Sequence, residues 1–315
     1  MDETVFQWKK TDEGGACILG GYGASPFVVV PEKIDGVVVT EIGDYCFSQS
    51  GNKEQQERPS SFQRELSGEF IENVYLPDSV KKLGNLAFYN CTRLKELQIG
   101  AGLTQIGSDA FMNCLQLSTI RLRCSVAQNS GIKQLLSQRS ADTTVIFEDG
   151  GQTEAVVMYP EYYEMYDEIG PAHIFALNLT GEGFRARQCF EKGIVDLAKY
   201  DAIFEQACAE ESPKTLCEMA VNRLCYPAGL SREAESRYRN YVHEQEDLLV
   251  KNLVKNRNLE LLEILFSKKI LTSRGREKSI ALASGEGWPE GAASLLFWNQ
   301  GLREQRKDRY SFEDF

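Results

Sequence analysis

The groups in this chain that could do chemistry are nine cysteines, two histidines and a run of tyrosines beside two arginines. Thiols ligate metal or form disulfides only at particular spacings. Cys217 and Cys225 are eight apart, which does not fit a zinc ribbon. An odd count with no recurring short spacing gives neither a metal set nor a disulfide framework. Buried free thiols in a reducing compartment are the simplest reading. His173 lies in a strand-like stretch and His243 in a helical one, each without a second ligand at metal spacing. GGYGAS at 20–25 is glycine-rich, but no helix follows it to receive a phosphate, and neither a P-loop nor a G-x-S-x-G elbow occurs. Asn90 and Asn178 match glycosylation acceptors. The expectation is a chain with no catalytic residue, metal or cofactor.

The phenols leave one open question. Tyr159, Tyr162, Tyr163 and Tyr166 stand among acidic residues, and Arg185 and Arg187 follow. Tyr162, Tyr163, Tyr166, Arg185 and Arg187 could form an aromatic–cationic binding surface. They suit half-buried packing between two domains equally well.

The elements that must position these groups are set by a repeat between Ile71 and Leu122. Leu76 and Ile99 are 23 apart, as are Gly84 and Gly107, Phe88 and Phe111, and Cys91 and Cys114. A fixed period with apolar residues in register marks a solenoid whose coils bury their faces on one another. Strand alternation turns Leu76 and Ile99 inward with their neighbours two before. Gly84 and Gly107 are expected to permit a sharp turn. Ala87 and Ala110 allow coils to approach, Phe88 and Phe111 fill the centre, and Cys91 and Cys114 act as small buried hydrophobes. Residues 27–47 read as a further copy lengthened by five, with Cys46 at the alanine position and Phe47 at the phenylalanine position.

These repeats, VYLPDSVKKLGNLAFYNC and LQIGAGLTQIGSDAFMNC, resemble the BspA-type leucine-rich repeat, V-x-I-P-x-S-V-x-x-I-G-x-x-A-F-x-x-C. The resemblance covers residues 25–122, about a third of the chain. It implies short stacked strands on one face and irregular or 3₁₀ segments on the other. Its members are often secreted surface proteins that bind other molecules through the solenoid.

Around this core, residues 4–22 read as a hairpin covering the open first coil. The polar stretch 49–70 reads as a surface loop. Between Arg123 and Gly151 a helix-like and a strand-like segment read as the C-terminal cap. In the connector, TEAVVMYP and HIFALNLTG read as strands and GFRARQCFEKGIVDLAKY as helix. Beyond it lie helices: two broken at Ser212-Pro213, a long one from Ser231 through Asn256, and a pair whose apolar runs recur 31 residues apart, Phe266 to Phe297. Leu261, Leu262, Leu265 and Phe266 are expected to be buried. These helix–turn–helix units look similar to ankyrin repeats, although the T-P-L-H opening is absent. The fold class is α+β and multidomain: a leucine-rich-repeat solenoid at 1–150, a Tyr-rich connector at 151–200 and an all-α helical-hairpin repeat domain at 201–315.

A net charge of −11 opposes binding to nucleic acid, and no apolar run approaches a membrane span. MDETVFQWKK carries no long apolar run, so a cytoplasmic location is expected, or an extracellular one if a leader precedes it. The expected function is a non-enzymatic protein–protein interaction or scaffold role. The alternative is a secreted adhesin or carbohydrate-binding protein. The partner is an unidentified protein, and the oligomeric state is open. Tyr75, Gln98 and Arg121 form an outward column, flanked by Asn73, Glu96 and Thr119 and by Glu72, Lys95 and Ser118. Tyr75, Gln98, Arg121, Glu96 and Lys95 are the candidate contacts, with Tyr75 and Arg121 as anchors. Four coils give a strip only about 15 Å long, less than the roughly 800 Å² a standard interface takes from each partner. The partner is therefore expected also to touch the 49–70 insertion or the helical half.

Overall fold

A computed structural model describes residues 4–49, 64–169 and 174–310, and the chain divides into two compact units, Met1–Gln206 and Ala207–Phe315. Most of the 49–70 insertion, His173 and the last five residues lie outside the described residues.

The first unit is a solenoid with two sheets. The 23-residue spacing becomes strand pairing: β7 (Asn73–Tyr75), β9 (Glu96–Gly100) and β11 (Thr119–Arg123) stack in parallel, Val74 against Leu97 and Leu97 against Ile120. β3 (Phe27–Val29) joins as the same step doubled, Val29 opposite Tyr75. β12 (Thr143–Asp149) continues the stack in parallel, and β13 (Gln152–Tyr159) pairs back on it through the Gly150–Gly151 turn, both glycines having positive φ. The second sheet runs through β1 (Val5–Lys10), β2 (Ala16–Gly23), β5 (Val37–Ile42), β8 (Lys82–Leu83) and β10 (Gln105–Ile106). Short β4 (Lys33–Ile34) and β6 (Arg64–Glu65) flank it, pairing with β5 and β2. The β1–β2 hairpin expected at 4–22 is present and lays β2 in parallel on β5.

Between the sheets the coils carry the expected core. Phe47, Phe88 and Phe111 stack with centroids 5.1 and 5.3 Å apart, and Cys46, Cys91 and Cys114 are buried. The Cys91 thiol donates to the Phe47 carbonyl at 3.2 Å and the Cys114 thiol to that of Phe88 at 3.1 Å. The ladder therefore uses sulfur as a weak donor that closes each coil on the one before.

The glycines work differently from the expectation. Neither Gly84 nor Gly107 has positive φ; that conformation falls on Leu86 and Asp109, and on Asn90 and Asn113. A Cβ on Gly84 would meet the Asp44 nitrogen at 2.3 Å, and one on Gly107 the Asn85 nitrogen at 2.5 Å. What these positions require is the absence of a side chain where coils meet, not a left-handed turn.

After the repeat, α1 (Ile132–Ser137) lies over the last coil. Its Gln134 donates to the Ile106 carbonyl at 2.8 Å, and Gln138 beyond it donates to that of Gly107 at 2.9 Å, where a further coil would have bonded. The connector departs from expectation in two places. Tyr163–Ile169 is itself a strand, β14, paired antiparallel with β15 (Ile174–Thr180). The stretch expected to be one helix holds only the single turn α2 (Gly183–Ala186), followed by a hairpin of β16 (Phe190–Glu191) and β17 (Ile194–Val195) before α3 (Leu197–Glu210). Lys192 and Gly193 take positive φ and make that turn.

The second unit is helical: α4 (Pro213–Cys225), α5 (Arg232–Glu244), α6 (Glu246–Lys255), α7 (Leu259–Ser267), α8 (Ser273–Gly285) and α9 (Pro289–Tyr310). Ser212, Ser231, Asn258 and Thr272 each accept a backbone N–H two or three residues into the following helix, the reason helices start there. The long helix expected from Ser231 is instead two, because the chain breaks at Gln245. Buried Glu246 begins the second, and its carboxylate accepts the Thr272 N–H and hydroxyl, both at 2.6 Å. The repeat step is 30 rather than 31. The bonds Asn256 N–H to Asn252 O, Arg257 to Val254 and Asn258 to Leu253 recur as Glu286 to Leu282, Gly287 to Ser284 and Trp288 to Ala283. On that register Leu262 and Leu265 correspond to Ala292 and Leu295, all buried, while Phe297 is 74% exposed and Leu261 only half-buried.

Candidate functional site

Strand alternation presents every second side chain of the six-stranded sheet, β3–β7–β9–β11–β12–β13, to solvent. Because Val74, Leu76, Leu97, Ile99, Ile120 and Leu122 are all buried, the residues between them must face outward. The register places Tyr75 beside Gln98 and Gln98 beside Arg121, the column expected from the sequence. The structure lengthens it. Val29 precedes Tyr75, Ile146 follows Arg121, and Val156 opposes Ile146. The flanking column runs Phe27, Asn73, Glu96, Thr119 and Thr144. Five strands from β3 to β12 span about 19 Å at 4.8 Å per strand. Val29 and Phe27 were missed, although the 46-residue step from Pro31 to Pro77 would have placed Val29 on Tyr75.

The face is graded. At the β3 end Phe27 and Val29 are 53% and 61% exposed, an apolar edge of the kind that marks an interaction surface. At the other end it is ionic. Arg121 Nε lies 2.9 Å from Glu96 Oε1 and its Nη1 2.7 Å from Glu148 Oε1. These carboxylates more than offset the desolvation of Arg121 and raise its pKa. Lys95 Nζ is 2.8 Å from Glu72, which also pairs with Arg93, and these cations hold the Glu72 carboxyl below its usual value, Lys95 foremost. Arg123 reaches Asp78 at 2.8 Å. Each of these charged side chains is tethered by a neighbour one or two coils away, so the ionic part of the surface offered to a partner is preorganised.

The second candidate surface comes apart. Arg187 and Tyr162 are brought together, but inside. The guanidinium sits 5.2 Å from the Tyr162 ring and 6.0 Å from Tyr159, and donates to the carbonyls of Gly183 at 2.9 Å and Ala141 at 2.7 Å. Burial lowers the Arg187 pKa to about 10 and pushes the Tyr159 phenol up. Tyr162 packs edge-on to Phe184. Arg185 instead pairs with Glu182 at 3.0 Å, and Tyr163 and Tyr166 are exposed on the β14–β15 hairpin. Packing, the simpler of the two readings, describes Tyr162 and Arg187. His243 Nε2 lies 2.9 Å from the Ile270 carbonyl and serves the helical packing. Among the described residues no three His, Cys, Asp or Glu side chains converge as metal ligands, and no helix is long and apolar enough to cross a membrane.

Short parallel strands repeating every 23 residues around a phenylalanine stack are the architecture of a leucine-rich repeat region. Residues 59–131 match the family whose description reads BspA type Leucine rich repeat region (6 copies), and a helical region follows them. Two solved structures are similar. The leucine rich repeat protein of T. pallidum is 24% identical over 46% of this chain and 62% of its own, with a TM-score of 0.30. A leucine rich cell surface protein from Faecalibacterium prausnitzii is 25% identical over 40% of this chain and 33% of its own, with a TM-score of 0.27. The chain thus spans less than two thirds of the length of either. No curated protein matches it.

Proposed function

We propose that this leucine-rich repeat chain is a non-enzymatic interaction protein that holds a protein partner on the outward face of its β3–β7–β9–β11–β12–β13 sheet. The observation that carries this reading is the unbroken column Val29, Tyr75, Gln98, Arg121 and Ile146 above a fully buried inner row. Val29, Phe27 and Tyr75 supply apolar contact, and the Glu96–Arg121–Glu148 triad supplies charge whose geometry is already fixed. That end pairs four cations, Arg93, Lys95, Arg121 and Arg123, with four carboxylates, Glu72, Asp78, Glu96 and Glu148, so it offers fixed polar groups of both signs to a partner. The area is still modest for a stable complex, which supports a partner that reaches a second surface of the chain and hence a scaffold role. Eight of nine thiols are buried as small apolar residues, the usage expected in a reducing compartment such as the cytoplasm.

The test is site-directed photo-crosslinking in native extract. A photoreactive residue replaces Tyr75 or Gln98, with Gln105 on the second sheet as control. The reading expects one and the same partner from positions 75 and 98 and none from 105. Capture from 105 alone would move the functional surface to the second sheet.

A further inference from the structure

Strands β14 and β15 form a sheet of two, with no third strand beside them among the described residues. Tyr163 faces Thr180, Met165 faces Asn178, Glu164 faces Leu179 and Tyr166 faces Leu177. Alternation therefore puts Tyr163 and Met165 on one side of the hairpin and Tyr166, Leu177 and Leu179 on the other. Tyr163, Met165 and Tyr166 are 58%, 58% and 65% exposed, and Leu177 and Leu179 48% and 39%. A hairpin gains its stability by burying one face; alone in water it is marginal. Here both faces carry large apolar side chains and neither is covered.

The charge is one-sided. From Gln152 to Phe184 the chain has no lysine or arginine, while Glu161, Glu164 and Asp167 are exposed. Glu164 shares its side with Tyr166, and Asp167 shares its side with Tyr163 and Met165, so each apolar face has its own carboxylate. Asp167 takes a hydrogen bond from Asn178 across the hairpin, and Glu161 accepts one from the Tyr163 phenol, which raises the phenol's pKa. A second copy of this hairpin would bring carboxylate against carboxylate, and a nucleic acid or anionic lipid would be repelled in the same way.

We propose that the β14–β15 hairpin is a docking arm for a cationic segment of a partner protein, one that alternates Lys or Arg with apolar residues. Added as a strand at the hairpin's edge, it sets its apolar side chains beside Tyr163 and Met165 and its cations beside Glu164, or, turned over, its apolar side chains beside Tyr166, Leu177 and Leu179 and its cations beside Asp167. This rests on the hairpin alone and is independent of the solenoid face.

The probe is a synthetic peptide alternating Lys and Leu, with its Glu–Leu counterpart as control, titrated calorimetrically into the full chain. The expected result is binding of the cationic peptide only, weakened as salt rises. Its dissociation constant rises at least about tenfold both in Tyr163→Ser/Met165→Ser/Tyr166→Ser and in Glu164→Lys/Asp167→Lys. Both variants change exposed side chains, and an unaltered far-UV dichroism spectrum confirms their fold. Unchanged affinity in both folded variants overturns the proposal, and so does equal binding of the acidic peptide. Binding to neutral phosphatidylcholine vesicles, or a concentration-dependent dimer, that the triple serine variant abolishes would assign the arm to a membrane or to a second copy and overturn it likewise.

Discussion

Arg121 and Glu96, two coils of one solenoid meeting at 2.9 Å, show how the repeat builds its own surface. The same register that buries Ile120 against Leu97 sets the guanidinium beside a carboxylate 25 residues away. Glu148 closes on it from the other side. Inner packing and outer charge are thus two readouts of one strand alignment, and a change in register would lose both.

The phenylalanine stack should dominate the stability of the first unit. Phe88 is fully buried between Phe47 and Phe111. Replacing it by Ala is expected to cost about 3–5 kcal/mol in urea unfolding. A loss below about 1 kcal/mol would mean that the coils do not rest on this stack.

Gly84→Ala should be unusually damaging for the addition of one methyl. The new Cβ would sit 2.3 Å from the Asp44 nitrogen and 2.5 Å from the Gly43 carbonyl carbon, backbone that cannot swing away. The expected cost is about 1–3 kcal/mol, that of overpacking. Gly285→Ala, with open space at its Cβ, is expected to be neutral or stabilising. A neutral Gly84→Ala would refute the close approach.

The thiols predict both reactivity and a pH dependence. Cys208 is exposed and the other eight are buried, so a thiol reagent should label one site quickly and the rest only on unfolding. Cys114 is held below its usual value, first by its bond with Cys91, but at 3% exposure it is out of a reagent's reach. Burial pushes Cys124, Cys189 and Cys217 up to about 11 and Cys225 to about 12, from 9.0. In each case the folded state keeps a proton that the unfolded chain releases near pH 9. Their contribution to stability is full below that pH and is lost as pH rises toward 11–12. The urea midpoint should therefore fall above pH 9, less steeply in Cys225→Ala. A flat midpoint from pH 8 to 10.5 would contradict this burial.

The helical register separates two residues two apart. Leu295 is fully buried and Phe297 is exposed. Leu295→Ala should cost about 2–5 kcal/mol, and Phe297→Ser less than about 0.5. Equal effects would restore the 31-residue step.

What the sequence made legible was whatever repeated or alternated. Leu76, Phe88 and Cys91 announced the coils because their copies stand 23 on, and Ser212 and Ser231 announced helix starts because a cap is a local bond. What stayed hidden depended on distant or absent partners. Tyr163–Ile169 shows no alternation of apolar and polar residues because neither side of that hairpin is the one buried face that would impose it. The break at Gln245 is bound up with Glu246, whose carboxylate bonds Thr272, 26 residues away. The similar runs I-L-F at 264–266 and L-L-F at 295–297 pointed to a step of 31, whereas the turn hydrogen bonds keep 30. Glycine was recognised at 84 and 107, but contact with the neighbouring coil, invisible in one sequence, was the reason for it.

The affinity of the crosslinked partner for Tyr75→Ala and Gln98→Ala tests the central claim most directly. Both side chains lie on the outward face, and neither contributes to the buried row beneath. The account predicts that the fold is unchanged by circular dichroism while the dissociation constant rises at least about tenfold, or roughly 1.4 kcal/mol, in each variant. Wild-type affinity in both folded variants would contradict it.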